Sequence, residues 1–151
     1  MTKMKDRSRN AKILLIDDNR GDAVLTKLAF TRVGIGVDFQ VAETAEIGLS
    51  ILRQEGDYAF ALRPDIILLD LNLPKMHGHD FLSTVKADPA LRRIPIIILS
   101  SSSADVDVAV SYDRYANGYI TKPYSSEAFK EVAEMIEHYW FELVHSPSDE
   151  T

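Results

Sequence analysis

Ile66-Ile67-Leu68-Leu69 is an unbroken apolar run held between two aspartates, Asp65 and Asp70. A surface helix would show apolar residues every three or four positions, and a half-buried strand would alternate. This run does neither. A short stretch that is apolar on both faces fits a strand covered on both sides, as in a parallel sheet. The same signature recurs at Ile13-Leu14-Leu15-Ile16, which runs into Asp17-Asp18, and at Ile96-Ile97-Ile98-Leu99, which runs into Ser100.

Segments with helical spacing separate these runs. Ala23, Val24, Leu25, Leu28, Ala29 and Phe30 form one, with Asn19 or Asp22 available to cap its start and Gly34 and Gly36 to end it. Strands are expected over 37–42 and 117–121. Further helices are expected over 45–54, 79–87, 104–115 and 125–144, the last capped by Ser125 or Ser126 with Glu127 in its first turn. Residues 56–64 and 71–78 read as loop and turn. Strand and helix alternate five times, which specifies a parallel sheet with helices on both faces and right-handed crossovers. The expected organisation is a basic tail over 1–10, one domain over 11–144 and a short polar tail over 145–151.

Composition narrows the function. Of 151 residues, 46% are hydrophobic and 26% charged, a soluble globular balance. No cysteine is present, which excludes disulfides, thiolate metal sites and a cysteine nucleophile. The formal net charge of -6 argues against a broad basic face for nucleic acid. No apolar run approaches the roughly 18 residues of a membrane span. The expectation is a cytoplasmic protein that binds neither nucleic acid nor membrane.

The strands aim their chemistry at one end. The first closes on Asp17-Asp18, the third on Asp70, the fourth on Ser100 and the fifth on Lys122. Open α/β sheets bind ligands outside the carboxyl ends of their strands, so these five residues are expected to share a cleft. Three carboxylates in one cleft repel, and a divalent cation relieves that repulsion. Oxygen-only ligands favour Mg²⁺, with Mn²⁺ or Ca²⁺ as substitutes. Lys122 adds a second positive centre. An aspartate nucleophile beside a cation and a lysine describes phosphoryl transfer, with Ser100 offering a hydroxyl to the transferred group. Each piece alone is an ordinary cap, turn or loop; the ordered set is what carries the reading.

With those motifs, the chain resembles the receiver domains of two-component response regulators, the family of the chemotaxis protein CheY. The matching stretches are Ile13 through Asp18, Leu68-Leu69-Asp70-Leu71-Asn72-Leu73-Pro74 with Gly78, Ile96 through Ser100, and Tyr119-Ile120-Thr121-Lys122-Pro123. The resemblance implies a flavodoxin-like, doubly wound, three-layer fold with five helices and strand order 2-1-3-4-5. It implies Asp70 as phosphoacceptor, Asp18 as a direct Mg²⁺ ligand, and Asp17 as a ligand through water. The Asn72 backbone carbonyl would complete the metal site and Lys122 would pair with the phosphoryl group. Ser100 and Tyr119 match the switch pair, Tyr119 turning inward on phosphorylation, and Pro123 matches a proline that follows a cis bond. Ser100, Leu73, His77 and Ser101 stand where other residues are commoner.

A narrower resemblance rests on Asp70-Leu71-Asn72-Leu73-Pro74-Lys75, the long loop 55–64, Ser111-Tyr112 and the segment Tyr139-Trp140-Phe141-Glu142-Leu143. It points to phytochrome-associated single-domain regulators of cyanobacteria and other bacteria. It implies a sensor histidine kinase as partner, one of the phytochrome type, with output through a phosphotransfer protein or other target. Such a protein is not an enzyme beyond promoting its own phosphorylation and dephosphorylation.

Two other classes share parts of the pattern. A flavodoxin-like electron carrier needs a Ser/Thr/Gly-rich phosphate loop after the first strand, where Asp17-Asp18-Asn19 stands. A dehalogenase-type phosphatase needs an aspartate two residues after its nucleophile, where Asn72 stands. In the last helix, Phe129, Val132, Ala133, Ile136, Trp140 and Leu143 form a core stripe. Tyr139, Trp140, Phe141 and Val144 are expected to help form a homodimer through the fourth helix, fifth strand and fifth helix. His77 and His79 are expected at the mouth of the cleft.

Overall fold

The apolar runs become strands and the periodic segments become helices. The computed structural model describes residues 10–34 and 36–139. Its strands are β1 (Ala11–Ile16), β2 (Val37–Ala42), β3 (Ile66–Leu69), β4 (Ile96–Ser100) and β5 (Gly118–Thr121). Its helices are α1 (Arg20–Val33), α2 (Ala45–Arg53), α3 (Gly78–Ala87), α4 (Asp105–Asp113) and α5 (Ser126–His138), with one 3₁₀ turn at Gly56–Tyr58. All strand pairs are parallel, in the order β2-β1-β3-β4-β5. The register is carried by the apolar runs: Ile13 pairs with Ile66, Ile16 with Leu69, and Ile67 with Ile96.

Period-two alternation sends side chains of the central strands into two cores. Leu14, Ile16, Ile67, Leu69, Ile96 and Ile98 pack with Leu49 and Leu52 of α2 and Phe81, Leu82 and Val85 of α3. Ile13, Leu15, Ile66, Leu68, Ile97 and Leu99 pack with Phe30 of α1 and Phe129, Val132, Ala133 and Ile136 of α5. Burying each large aliphatic side chain contributes about 1.5–3 kcal/mol relative to exposure. That surplus lets the sheet carry charged groups at one end.

Helix ends follow local chemistry. Asn19 caps α1 by accepting from Asp22 N, Thr44 caps α2, and Ser125 caps α5 by accepting from Ala128 N. α4 departs from its expected bounds, because Ala104 provides no side-chain cap; the nearby Ser102 hydroxyl hydrogen-bonds the Asp107 carboxylate instead. Tyr139 also departs from expectation. It lies three residues beyond Ile136 on the same helical face, half-buried against the chain's own second core rather than off the core stripe. Trp140, Phe141 and Val144 lie outside the described residues.

α3 is fastened at its start. A Cβ on Gly78 would come within 2.6 Å of the Asp70 carbonyl oxygen and 2.7 Å of Leu71 Cα, so only glycine lets the helix start this close to the end of β3. The next residue, His79, is not at the cleft mouth. It is buried, with its Nε2 2.9 Å from Ser111 Oγ in α4. Ser111 donates its own proton to the Asp107 carbonyl, so Nε2 carries the hydrogen that Ser111 Oγ accepts. His77 caps α3 through Nδ1, which accepts from His79 N.

Burial lowers the His79 pKa from its ordinary value of 6.5, although the Asp107 carbonyl opposes the shift. Below pH 6.5 the unfolded chain therefore binds a proton that the folded chain refuses, and stability falls as pH falls. Urea unfolding at pH 7.5 and 5.5 should show that loss, with a slope from this group of at most about 1.4 kcal/mol per pH unit. His79→Gln should flatten the dependence. An equal slope in the variant would contradict the assignment.

Candidate functional site

The sheet extends its hydrogen bonds one residue past three strands. Asp17 N donates to Ala42 O at 3.0 Å, Asp70 N to Ile16 O at 2.9 Å, and Lys122 N to Ser100 O at 2.7 Å. These rungs fix the backbones of the two acids and the lysine at one edge. Asp17 is 1% exposed, Asp70 5% and Lys122 8%, whereas Asp18 faces solvent. Lys122 Nζ lies 2.8 Å from Asp17 Oδ2, 2.8 Å from Asp22 Oδ2 and 3.0 Å from Asp70 Oδ2.

The charges do not balance. One buried ammonium faces the carboxylates of Asp17, Asp22 and Asp70, with Asp18 nearby. Oxygens of Asp17, Asp18 and Asp70 lie within 4.8 Å of one another. Two carboxylates at that distance repel by about 3–4 kcal/mol at an effective dielectric of ~20. The Asp17 pKa is raised, by burial first; Lys122 and the Asn19 N–H pull it back, and the charge on Asp70 adds to the rise. Burial alone would lower the Lys122 pKa, but the carboxylates of Asp17 and Asp22 outweigh it and push that pKa up.

One buried oxygen is left over. Asp17 Oδ1 accepts from Asn19 N at 2.9 Å, but Asp17 Oδ2 accepts no aligned hydrogen bond. Lys122 is close to it as an ion pair, while the aligned bonds of Nζ go to Asp22 and Asp70. A buried carboxylate oxygen without a directed donor, beside two further carboxylates, fits a hard divalent cation.

Ser100 and Tyr119 meet at the end of β4. Ser100 is fully buried and its Oγ accepts from Ser102 N at 3.3 Å. Tyr119 is half-buried, and its hydroxyl donates to Ser102 O at 2.7 Å. Both expected switch residues thus hold the same loop, through Ser102. The Tyr119 pKa is raised by burial. Asn72 is exposed, and its N–H donates to Asp70 Oδ1 at 3.2 Å. The bond before Pro123 is trans, contrary to the cis geometry that the resemblance implied; trans is favoured by about 0.5–1 kcal/mol before proline.

The structure therefore brings together Asp17, Asp18, Asp70, Lys122, Ser100 and Tyr119, and adds Asp22. The sequence marked Asp22 only as a possible cap. A pairing across 100 residues leaves no local spacing signal.

Comparison with known proteins agrees with this geometry. The family model "Response regulator receiver domain" matches residues 13–134. Response regulator Rcp1 of Synechocystis sp. is 34% identical over 146 residues, covering 96% of this chain and 99% of that protein. The manganese-bound form of Rcp1 aligns with a TM-score of 0.82 at 34% identity, over 91% of this chain and 99% of that one. The phosphorylated cyanobacterial phytochrome response regulator RcpA aligns with a TM-score of 0.86 at 38% identity, over 92% and 99%. A probable methanogenesis regulatory protein, FilR2 of Methanothrix harundinacea, is 37% identical over 135 residues, 89% of this chain and 86% of its own. The buried acids, the lysine and the five-strand parallel sheet that holds them make this chain a member of the response regulator receiver family.

Proposed function

We propose that Asp70 stores a phosphoryl group received from a phosphohistidine on a sensor histidine kinase. The observation that carries this is Lys122 Nζ, bonded 3.0 Å from Asp70 Oδ2 within a buried acidic cluster. An Asp70 carboxylate oxygen attacks phosphorus, the P–N bond to the donor imidazole breaks, and an acyl phosphate remains. Lys122 offers a cation to the phosphoryl oxygens, and Ser100 offers its hydroxyl. Asp17, Asp18, Asp70 and the Asn72 carbonyl would hold Mg²⁺, for which Mn²⁺ or Ca²⁺ could substitute. When bound, that ion neutralises charge on the transferring group.

Once the Ser100 hydroxyl turns to the phosphoryl group, Ser102 N loses its acceptor. Ser102 also receives the Tyr119 bond and reaches Asp107 in α4, so the β4–α4 loop and the α4 surface change with Asp70. This is a population shift with its output on a surface. A downstream phosphotransfer protein or target would read it. The chain acts only on itself, promoting its own phosphorylation and dephosphorylation; Asn72 offers no acid or base for turnover of free substrates. The likeness to RcpA favours a phytochrome-type kinase. No helix among the described residues is long and apolar enough to cross a membrane; a cytoplasmic site of action is part of the proposal.

Acetyl phosphate with Mg²⁺ should add one base-labile phosphoryl group to the wild type by intact mass. Asp70→Asn, or wild type with a chelator, should fall at least about tenfold, the loss of one charge-assisted interaction or more. An equal adduct on Asp70→Asn would overturn the reading. A homodimer through α4, β5 and α5 is the second part of the proposal. Val106, Tyr112, Tyr115 and Met135 expose 67%, 50%, 75% and 54% of their surface there. Light scattering at micromolar concentration should give a dimer mass, which phosphorylation strengthens; a monomer in both states would refute it.

A further inference from the structure

Lys122 has three carboxylate partners, and the phosphoacceptor chemistry uses two of them. The third, Asp22, is the third residue of α1 after its Asn19 cap. An acid at that position ordinarily reaches back to the N–H of the cap. Here that N–H is already taken, because Asn19 N donates to Asp17 Oδ1 at 2.9 Å. The Asp22 carboxylate is thereby released from the helix, and Oδ2 lies 2.8 Å from Lys122 Nζ. Its side chain is 29% exposed, at the rim, while those of Asp17 and Asp70 are 1% and 7% exposed. Asp22 is also outside the trio whose oxygens come close enough to share a cation.

We propose that Asp22 is a positioning residue for the phosphoryl group, holding the Lys122 ammonium in place when its other two partners are taken up. The proposal rests on the reading of Asp70 as phosphoacceptor. The aligned bonds of Nζ run to Asp22 and Asp70. Phosphorylation exchanges the Asp70 bond for one to a phosphoryl oxygen. Asp17 Oδ2, which has no aligned hydrogen bond, would be drawn from its ion pair with Lys122 if it held a divalent cation. Asp22 alone keeps its bond to Lys122 throughout. A lysine side chain has many rotamers, and ordering it costs entropy. One fixed partner on the α1 side removes much of that freedom and turns the remaining N–H donors towards Asp70. An opposing effect exists: the negative charge of Asp22 repels a phosphoryl group. Water at the rim screens that repulsion, whereas the aligned 2.8 Å bond to a buried ammonium is not screened to the same degree.

Beryllofluoride with Mg²⁺ serves as a non-covalent stand-in for the phosphoryl group, measured by calorimetry beside Mg²⁺ alone. Asp22→Ala should weaken beryllofluoride binding about tenfold, the effect of losing one hydrogen bond to a charged group. Asp22→Asn, which keeps an acceptor without the charge, should fall between Ala and wild type. Mg²⁺ binding alone should change by less than about twofold in both, since Asp22 lies outside the cation trio. Wild-type or tighter beryllofluoride binding by Asp22→Ala would overturn the proposal, and so would an equal loss of Mg²⁺ affinity, which would mark a general disturbance of the site. If circular dichroism shows that Asp22→Ala does not fold, Asp22→Ser, whose hydroxyl is too short to reach Nζ, is read against the same outcomes. If wild type itself takes up no beryllofluoride, the reading of Asp70 fails first and this proposal with it.

Discussion

A single ammonium group holds the acids at the end of the sheet together. Lys122 Nζ lies within 3.0 Å of oxygens from Asp17, Asp22 and Asp70, and two of those acids are almost wholly buried. Without that cation, acids packed this closely would repel and one would take a proton. With it, the cluster is still short of positive charge. A divalent ion bound by the acids would relieve that shortfall. The two apolar cores exist on either side of the same strands, so the packing that fixes the fold also fixes the spacing of the acids.

Three hydrogen bonds at Ser102 join the end of β4 to the start of α4. Ser102 is held at its amide by Ser100, at its carbonyl by Tyr119 and at its hydroxyl by Asp107. A two-state element needs both states to be supported by defined bonds, and one set is visible here. One turn further along α4, Ser111 takes the bond from His79, which ties α4 to α3. α4 is therefore fastened to the site at its start and to α3 near its end. The Gly78 contact with the Asp70 carbonyl brings α3 into the same frame.

Much of this was legible in the residues. Four apolar positions in a row, Ile66 to Leu69, leave little choice but a strand covered on both faces, and the strand-terminal acids, serine and lysine follow from the same pattern. The residues offered Asn19 or Asp22 and Ser125 or Ser126 as caps; Asn19 and Ser125 take the role, each accepting from an amide three residues on. The order of the strands came with the family resemblance, since alternation alone does not order a sheet. What escaped depends on distant partners. Asp22 reads as an N-terminal helix acid whether it bonds its own cap or a lysine 100 residues on. His79 reads as a cleft residue until Ser111 is placed opposite it. Tyr139 reads as surplus apolar surface until its helical phase beyond Ile136 places it on the core.

The central claim is that one side chain, Asp70, carries the phosphoryl group. Borohydride reduction of the acetyl phosphate-treated protein, followed by peptide mass mapping, tests it at the level of the bond, because an acyl phosphate is reduced to an alcohol where a free carboxylate is not. Asp70 should be converted to homoserine, with Asp17, Asp18 and Asp22 unchanged. Conversion at any of those three, with Asp70 intact, would contradict it.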